Sequence, residues 1–284
     1  MTQKYVVFVR NPISMNFSDP SKPVAQIMEV EEDIPTSFFV LSKEDGKLLA
    51  QYDAPSFTFF HSVNGYDFQT ANGDTTIHID LCSYDEATIP YREYTLSNVV
   101  DPAGPYANGT LTRYELADLN IHQYSLSGAP GRVTVASAIA GTGMELPRIS
   151  KSASMNPSYR YVYATGGNGE SAPGTLVPMG RLSNGLKITQ AAFFNSIVKS
   201  DWATGKFLRW KPDNGESCPC EPIFIGRPGA TEEDDGLVLT IVCDREGTRS
   251  VLVAMDGRTL TEVARAYMPQ VYGLGPHGTF VEDY

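Results

Sequence analysis

His61 is the histidine with the most unusual setting in this 284-residue sequence. It lies in the aromatic stretch Phe57–Asp67, which predicts a strand that ends at the turn-forming pair Asn64-Gly65. Alternate side chains of a strand share a face, so His61 is expected to be the one polar group beside Phe57, Phe59 and Val63. A buried imidazole needs partners for its ring nitrogens. Two interpretations stay open: a core histidine bonded to a backbone carbonyl, or a metal ligand.

The charge balance excludes several classes of partner. There are 22 Lys and Arg against 33 Asp and Glu, which gives a net charge of −11. An acidic surface argues against nucleic acid and against a polybasic membrane patch. No run of about 18 apolar residues predicts a transmembrane helix. Peripheral contact with a membrane through apolar side chains needs no charge and stays open.

The cysteines and the start of the sequence indicate a reducing compartment. Four cysteines are too few for a disulfide scaffold, and we expect free thiols at Cys82, Cys218, Cys220 and Cys243. The first residues lack the layout of a signal peptide. The predicted location is therefore cytoplasmic, with membrane-peripheral attachment allowed.

The strand pattern predicts an all-β fold. Short runs of β-branched and aromatic residues alternate with turns rich in Gly, Pro, Asn and Asp, and helical periodicity is lacking. Residues 4–10 predict a buried strand, and Glu44-Asp45-Gly46 predicts a hairpin turn. Thr75–Leu81 alternates with His78 on its polar face, where we expect that imidazole to be solvated.

Four segments resemble motifs of the carotenoid cleavage oxygenase family, in the family's order. The first resembles Phe-His-x-x-Asn-Ala-Tyr-Glu, with Gly65 for Ala and Asp67 for Glu. The others resemble Glu-Phe-Pro-x-Ile-Asn, Glu-Pro-x-Phe-Val-x-Arg-Pro-Gly-Ala and His-Gly-x-Phe. The matching segments are Phe60–Asp67, Met144–Ser150, Glu221–Ala230 and Pro276–Phe280.

The resemblance implies a seven-bladed β-propeller with loops on its top face. It covers nearly the whole chain but only the C-terminal part of that propeller, about four to five blades. We therefore expect residues 1–284 to form a single domain whose N-terminal blades are missing and whose ring is incomplete. Met1 directly precedes a predicted strand, which favours an incomplete sequence.

The resemblance also implies a metal site. In the family, four neutral histidines hold Fe(II), and imidazole suits ferrous iron. His61 and His277 match two of these ligands, and the other two would precede Met1. Carboxylates orient such ligands through their second N–H. By resemblance, Glu145 would orient His61 and Glu221 would orient His277. We expect the two imidazoles to converge, with no catalytic residue beyond this site.

The implied activity is that of a non-haem iron dioxygenase. The full enzyme uses O2 to cleave a conjugated C=C bond of a carotenoid or apocarotenoid into two carbonyl products. The substrate is an apolar polyene or, in a related alternative, a stilbene-like molecule. Two histidines cannot make a four-histidine site, so this chain alone is expected to be inactive. The alternative of another class is a truncated, non-catalytic propeller fragment or a binding module.

Overall fold

A computed structural model describes residues 1–22, 24–31, 33–85, 109–119, 129–167, 177–181, 187–190, 195–212, 219–243, 248–272 and 275–281. This part of the chain is built almost entirely of strands, which confirms the all-β prediction. Among the described residues, helix is confined to α1 (Val24–Ile27) and a 3₁₀ turn, Lys151–Ala153. Within these ranges, no helix is long and apolar enough to cross a membrane.

The strands are short, in keeping with frequent turn residues. They are β1 (Tyr5–Arg10), β2 (Ile13–Met15), β3 (Met28–Val30), β4 (Thr36–Ser42), β5 (Leu48–Ala54), β6 (Phe57–Gln69), β7 (Thr75–Asp85), β8 (Thr110–Leu116), β9 (Gly131–Arg132), β10 (Thr134–Ile139), β11 (Met144–Arg148), β12 (Tyr161–Gly166), β13 (Val177–Arg181), β14 (Lys187–Gln190), β15 (Ser196–Asp201), β16 (Lys206–Trp210), β17 (Ile223–Gly226), β18 (Gly236–Cys243), β19 (Ser250–Asp256) and β20 (Glu262–Tyr267).

The chain divides into two compact units. The first comprises residues 1–92, 111–138 and 154–159. It contains two four-stranded sheets, of order β1-β4-β5-β9 and β10-β8-β7-β6, and the pair β2-β3. Buried side chains of both sheets form one core, among them Phe38 and Tyr52 from the first sheet and Ile77 and Leu116 from the second. Burial of these apolar side chains is the main stabilising contribution to this unit.

The second unit comprises residues 93–110, 139–153 and 160–284. Its described strands form the four-stranded sheets β11-β12-β15-β16 and β17-β18-β19-β20, and the hairpin β13-β14. Tyr163 joins the two larger sheets, because its ring stacks on Phe224 at 5.1 Å and its hydroxyl donates to the carbonyl of Gly257. The prediction of one domain over residues 1–284 stays a prediction.

Two strand predictions succeed to different degrees. The predicted hairpin turn connects β4 and β5, and Gly46 supplies the positive φ of 71° that this turn requires. The predicted buried strand at residues 4–10 is instead half-buried, because β1 pairs with β4 alone at the edge of its sheet. Its Phe8 is 60% exposed.

The predicted end of the aromatic strand at Asn64-Gly65 is wrong. Strand β6 continues to Gln69, and its pairing with β7 slips twice, between Phe59 and Ser62 and again between Ser62 and Asn64. Each slip inserts an extra residue, so the strict alternation that was expected to place His61 beside Phe57, Phe59 and Val63 does not extend through this segment. Such bulges are common next to functional sites, and they are not visible in an alternation pattern.

Candidate metal centre

Glu221 and His277 form the clearest contact among the predicted site residues. Nδ1 of His277 lies 3.1 Å from Oε1 of Glu221. The Glu221 side chain is 5% exposed, whereas that of His277 is 59% exposed. An ionised carboxylate only accepts hydrogen bonds, so the ring proton belongs on Nδ1. In the neutral imidazole this leaves Nε2 unprotonated, which is the form that a metal ligand requires.

The other oxygen of Glu221 is also engaged. Oε2 accepts the backbone N–H of Gly278 at 3.0 Å and an N–H of Arg148 at 2.7 Å. The same Arg148 nitrogen donates to the carbonyl of Gly278. The carboxylate is therefore fixed by three donors, two of which come from His277 and the residue that follows it.

Cys220, the residue before Glu221, contacts the backbone two residues before His277. Its sulfur accepts the backbone N–H of Gly275 at 3.3 Å, and burial raises the pKa of its thiol. It is therefore a structural contact and not a reactive thiolate. Cys82 and Cys243 are likewise free thiols, as predicted, and Cys218 lies outside the described residues.

His61 lies on β6 in the first unit, within the first register slip, which falls between Phe59 and Ser62. Asn64 of the same motif contributes structurally, because its side-chain oxygen accepts the backbone N–H groups of Gly65 and of Met155. Gly65 is needed for close approach, since a Cβ there would meet Ile79 Cδ1 and the carbonyl of Met1, each at 3.0 Å. The motif's Asn-Gly pair thus serves packing inside a strand and does not form a turn.

Glu145 lies on β11 in the second unit and is 1% exposed. One of its carboxylate oxygens accepts the N–H of Leu146 at 3.1 Å. Leu146 has a positive φ of 52°, an uncommon conformation for a residue with a branched side chain. The predicted contact of Glu145 with His61, and the convergence of His61 with His277, stay predictions.

The residue types present suit a ferrous site, because His277 supplies an imidazole nitrogen that is oriented by a carboxylate. A buried carboxylate that orients an exposed imidazole is the usual arrangement behind a metal-ligating histidine. The described ranges contain no group of three or more His, Cys, Asp and Glu side chains that could hold a metal ion. Within those ranges, the contact between Glu221 and His277 is an arrangement that would suit a metal ligand.

The expectation that His78 is solvated is wrong. Its side chain is 14% exposed, with Nδ1 2.8 Å from the hydroxyl of Tyr66 and Nε2 3.0 Å from Glu115. The Glu115 carboxylate accepts the N–H of Nε2, so in the neutral imidazole Nδ1 accepts the hydrogen bond of the Tyr66 hydroxyl, whose pKa is raised by burial. The polar face of β7 is covered by neighbouring strands, which the sequence of β7 alone does not reveal.

A buried ion pair beside this histidine was not anticipated either. Asp80 is fully buried and accepts two N–H groups of Arg113 at 2.8 and 2.9 Å, together with the hydroxyl of Tyr159. The guanidinium carbon lies 5.3 Å from the ring centres of both Tyr66 and Tyr159. The alternation of β7 did mark Asp80 as polar, but only the fold supplies its partners.

An open cleft of about 920 Å³ lies in the second unit. Its lining combines apolar and charged side chains, among them Ile223, Phe224, Phe280, Arg148, Arg227 and Glu233. Arg148 therefore both lines this cleft and holds the carboxylate behind His277.

Comparison with known proteins identifies a family. The family model described as retinal pigment epithelial membrane protein matches residues 1–282. A carotenoid isomerooxygenase of Galleria mellonella is 29% identical over 94% of this chain and 48% of its own length. The chloroplastic carotenoid cleavage dioxygenase 8 homolog B of Oryza sativa subsp. japonica is 31% identical over 84% of this chain and 37% of its own. The chain thus spans about half the length of the curated relatives it matches.

Solved structures agree on the fold. A point mutant of Synechocystis apocarotenoid oxygenase matches 100% of this chain and 52% of its own, with a TM-score of 0.71 and 21% identity. Cobalt-substituted Synechocystis apocarotenoid oxygenase matches 96% of this chain and 50% of its own, with a TM-score of 0.68 and 20% identity. The chain therefore shares the all-β fold of these oxygenase structures.

Proposed function

The chain belongs to the family described as retinal pigment epithelial membrane protein, and from that premise we propose that it is part of a carotenoid-cleaving dioxygenase. The proposed reaction is the oxidative cleavage of a conjugated C=C bond with O2 at a non-haem Fe(II) site. The contact between Glu221 and His277 is the observation that carries the proposal. A buried carboxylate behind an exposed imidazole has a clear use if Nε2 binds a metal.

In the proposed site, His61 and His277 are two ligands of the iron. Bound ferrous iron would supply the position at which O2 is activated toward a conjugated double bond. Glu221 holds the proton of His277 on Nδ1 and fixes the plane of the ring. Glu145 is proposed to do the same for His61. The other two histidines of the family pattern are proposed to be encoded upstream of Met1.

The incomplete propeller is part of the same proposal. Four four-stranded sheets occur in the described residues, and the matched relatives are about twice as long. A seven-bladed ring would therefore take its remaining blades from the part of the relatives that this chain does not match. Taken alone, the chain is proposed to bind iron weakly and to be inactive. The alternative is a non-catalytic propeller fragment or binding module.

The proposed substrate is an apolar carotenoid or apocarotenoid. The relatives from Galleria mellonella and Oryza sativa carry names that refer to carotenoids, and a torulene dioxygenase of Fusarium fujikuroi is 28% identical over 93% of this chain. These names favour a carotenoid over the stilbene-like alternative. A cytoplasmic location with peripheral membrane contact remains proposed, since an apolar polyene partitions into membranes.

The test compares the 284-residue chain with the longest in-frame reading frame that contains it. Both are purified, and their iron content and cleavage of a carotenoid and a stilbene panel are measured. We expect stoichiometric iron and carotenoid cleavage in the longer protein, and weak iron binding without cleavage in the shorter. Glu221→Gln should weaken metal binding by about 10–100-fold. Tightly held iron in the shorter chain, or a longer frame without two further histidine motifs, would contradict the proposal.

A further inference from the structure

Strand β11 contains a bulge that places the side chains of Glu145 and Arg148 on the same face of the sheet. Glu145 pairs with Thr165, and Arg148 pairs with Tyr163, with a shift of register between the two pairs. Three residues on β11 therefore span two on β12. Because Tyr163 and Thr165 lie on one face of the sheet, Glu145 and Arg148 also share a face. In a regular strand, residues three apart point to opposite faces.

The bulge gives Arg148 access to the residues around His277. One terminal nitrogen of Arg148 bonds both to Oε2 of Glu221 and to the carbonyl of Gly278. Those two atoms belong to the carboxylate behind His277 and to the residue after it. Arg148 thereby links both parts of the structure that determine where the imidazole lies, and it contacts neither ring nitrogen itself.

The geometry of the carboxylate shows what this link accomplishes. Without its other partners, Glu221 could rotate about its last bond and turn the plane of its carboxylate away from Nδ1 of His277. With Oε2 occupied by Arg148 and by the N–H of Gly278, only Oε1 faces Nδ1. A charge-assisted bond of 2.7 Å to a side chain that is 5% exposed is among the stronger polar contacts available.

A purely structural ion pair would use the guanidinium differently. The Nε atom of Arg148 is buried and has no hydrogen-bond partner within the described residues. An arginine placed only for stability would be expected to satisfy this donor, since an unpaired buried donor costs about 1–3 kcal/mol. The side chain is instead directed by its outer nitrogen toward Glu221 and Gly278.

We propose that Arg148 is a positioning residue that fixes Glu221 and the backbone after His277, so that the imidazole presents an unprotonated Nε2. The inference rests on the proposed function, because only a ligand role gives the orientation of this ring a purpose. The bulge of β11 is the feature that gives Arg148 this role at the ligand position of His277.

The tautomer of His277 provides a test that requires no metal. Long-range ¹H–¹⁵N spectra of protein labelled at its four histidines distinguish the two neutral tautomers, and His277→Gln assigns the signal. In the unaltered chain, we expect His277 to carry its proton on Nδ1. In Arg148→Met, which keeps the length but removes the donors, we expect a mixture of tautomers. Arg148→Lys, which retains a cation with fewer fixed donors, should recover part of the bias.

Arg227→Ala is the matched control. Arg227 lines the same cleft and pairs with Asp235, without a bond to Glu221. We expect this variant to leave the tautomer of His277 unchanged. If Arg148→Met does not fold, Arg148→Lys still decides the question through its intermediate spectrum. Tautomers identical to those of the unaltered chain in every folded Arg148 variant would overturn the inference, even if thermal stability falls.

Cobalt titration separates the failure of this inference from failure of the proposed function. In the longer reading frame, Arg148→Met should weaken Co²⁺ binding by about 10-fold, in line with other residues that orient metal ligands. An unaltered protein that binds no cobalt would count against the proposed metal site, whereas the tautomer comparison would still judge Arg148. Equal cobalt affinity in Arg148→Met and the unaltered protein would overturn the role of Arg148.

Discussion

The side-chain oxygen of Asn64 accepts the backbone N–H of Met155 at 3.0 Å, although the two residues are 91 positions apart. This bond ties the His61 strand to a segment in which Met155 adopts a positive φ of 56°. Both residues lie in the first unit. The asparagine of the motif therefore holds a strained loop against the strand that carries the expected ligand.

Asn64→Ala is expected to lower the free energy of unfolding by about 1–3 kcal/mol, because the N–H of Met155 loses its acceptor. Urea unfolding would measure the loss. Asn64→Asp keeps the accepting oxygen and serves as the control, with a smaller effect expected. An alanine variant as stable as the unaltered chain would show that the bond to Met155 contributes nothing.

Gly143→Ala is expected to be among the most disruptive glycine substitutions near the site. Gly143 precedes β11 with a φ of 57°, and an added Cβ would lie 1.8 Å from the carbonyl oxygen of Gly167. Gly46→Ala is the matched control, because Gly46 has a φ of 71° with nothing within 4 Å of the added atom.

Both glycine variants pay the backbone cost of a left-handed residue, about 1 kcal/mol. Only Gly143→Ala must also displace backbone, so it should cost clearly more, about 3 kcal/mol or above. Thermal unfolding of the two variants side by side measures the difference. Equal losses of stability in the two variants would mean that the backbone at the start of β11 shifts to accommodate the added Cβ without strain.

The environment of Asp201 predicts that the fold loses stability at acidic pH. Hydrogen bonds from Arg160 are the main reason that the pKa of Asp201 falls from 3.8 to about 2, with further bonds from Thr204 and the backbone of Ala203. A lowered folded-state pKa means that the ionised form stabilises the fold above pH 3.8. This contribution is lost as the pH falls through about 2.

Asp201→Asn should therefore be less stable than the unaltered chain at neutral pH, and the difference should shrink steadily below pH 4. Urea unfolding at several pH values between 6 and 3 would follow it. Because the Arg160 side chain is 44% exposed, solvent ions reach the pair, and we expect the difference to decrease with added salt as well. A constant gap across this pH range would exclude the ion pair as its source.

Lys199 and Asp234 form a mostly buried ion pair in the second unit. Nζ of Lys199 lies 2.6 Å from the carboxylate and 4.0 Å from the ring centre of Tyr161, and it also bonds to the carbonyl of Arg258. Their side chains are only 5% and 13% exposed. Removing one partner leaves the other charge buried, which is usually costly.

Lys199→Met is expected to lower the free energy of unfolding by about 3 kcal/mol. The double variant Lys199→Met with Asp234→Leu should recover part of this loss, because no charge then stays unpaired. Chemical unfolding of both variants provides the measurement. A loss in the single variant that the double variant does not reduce would show that packing, and not charge, was responsible.

Local sequence pattern predicted the all-β fold, and motif resemblance named Glu221 and His277, whose side chains are in contact. It did not anticipate Arg148, because strict alternation places that residue on the opposite face of β11 from Glu145. Bulges arise from the pairing of two strands, and neither strand shows them alone. The register slips around His61 cannot be predicted from β6 alone for the same reason.

The prediction that His78 is solvated failed for a different reason. The prediction took the polar face of β7 to be exposed to solvent. That is correct only when no other side chains pack on the face. Tyr66 and Glu115 come from the two neighbouring strands and cover the imidazole. Long-range partners of buried polar groups depend on topology, and a lone sequence does not contain that information in readable form.

The hairpin β13-β14 lies in the connection between β12 and β15, two strands that pair with each other in the sheet. Gly166 at the end of β12 pairs directly with Ser196 at the start of β15, so the chain departs and returns at neighbouring positions. The free energy of closing such an excursion rises only slowly with its length. A connection between these two strand ends can therefore vary in length at a small cost in free energy, while β11, which carries Glu145 and Arg148, takes its register from β12.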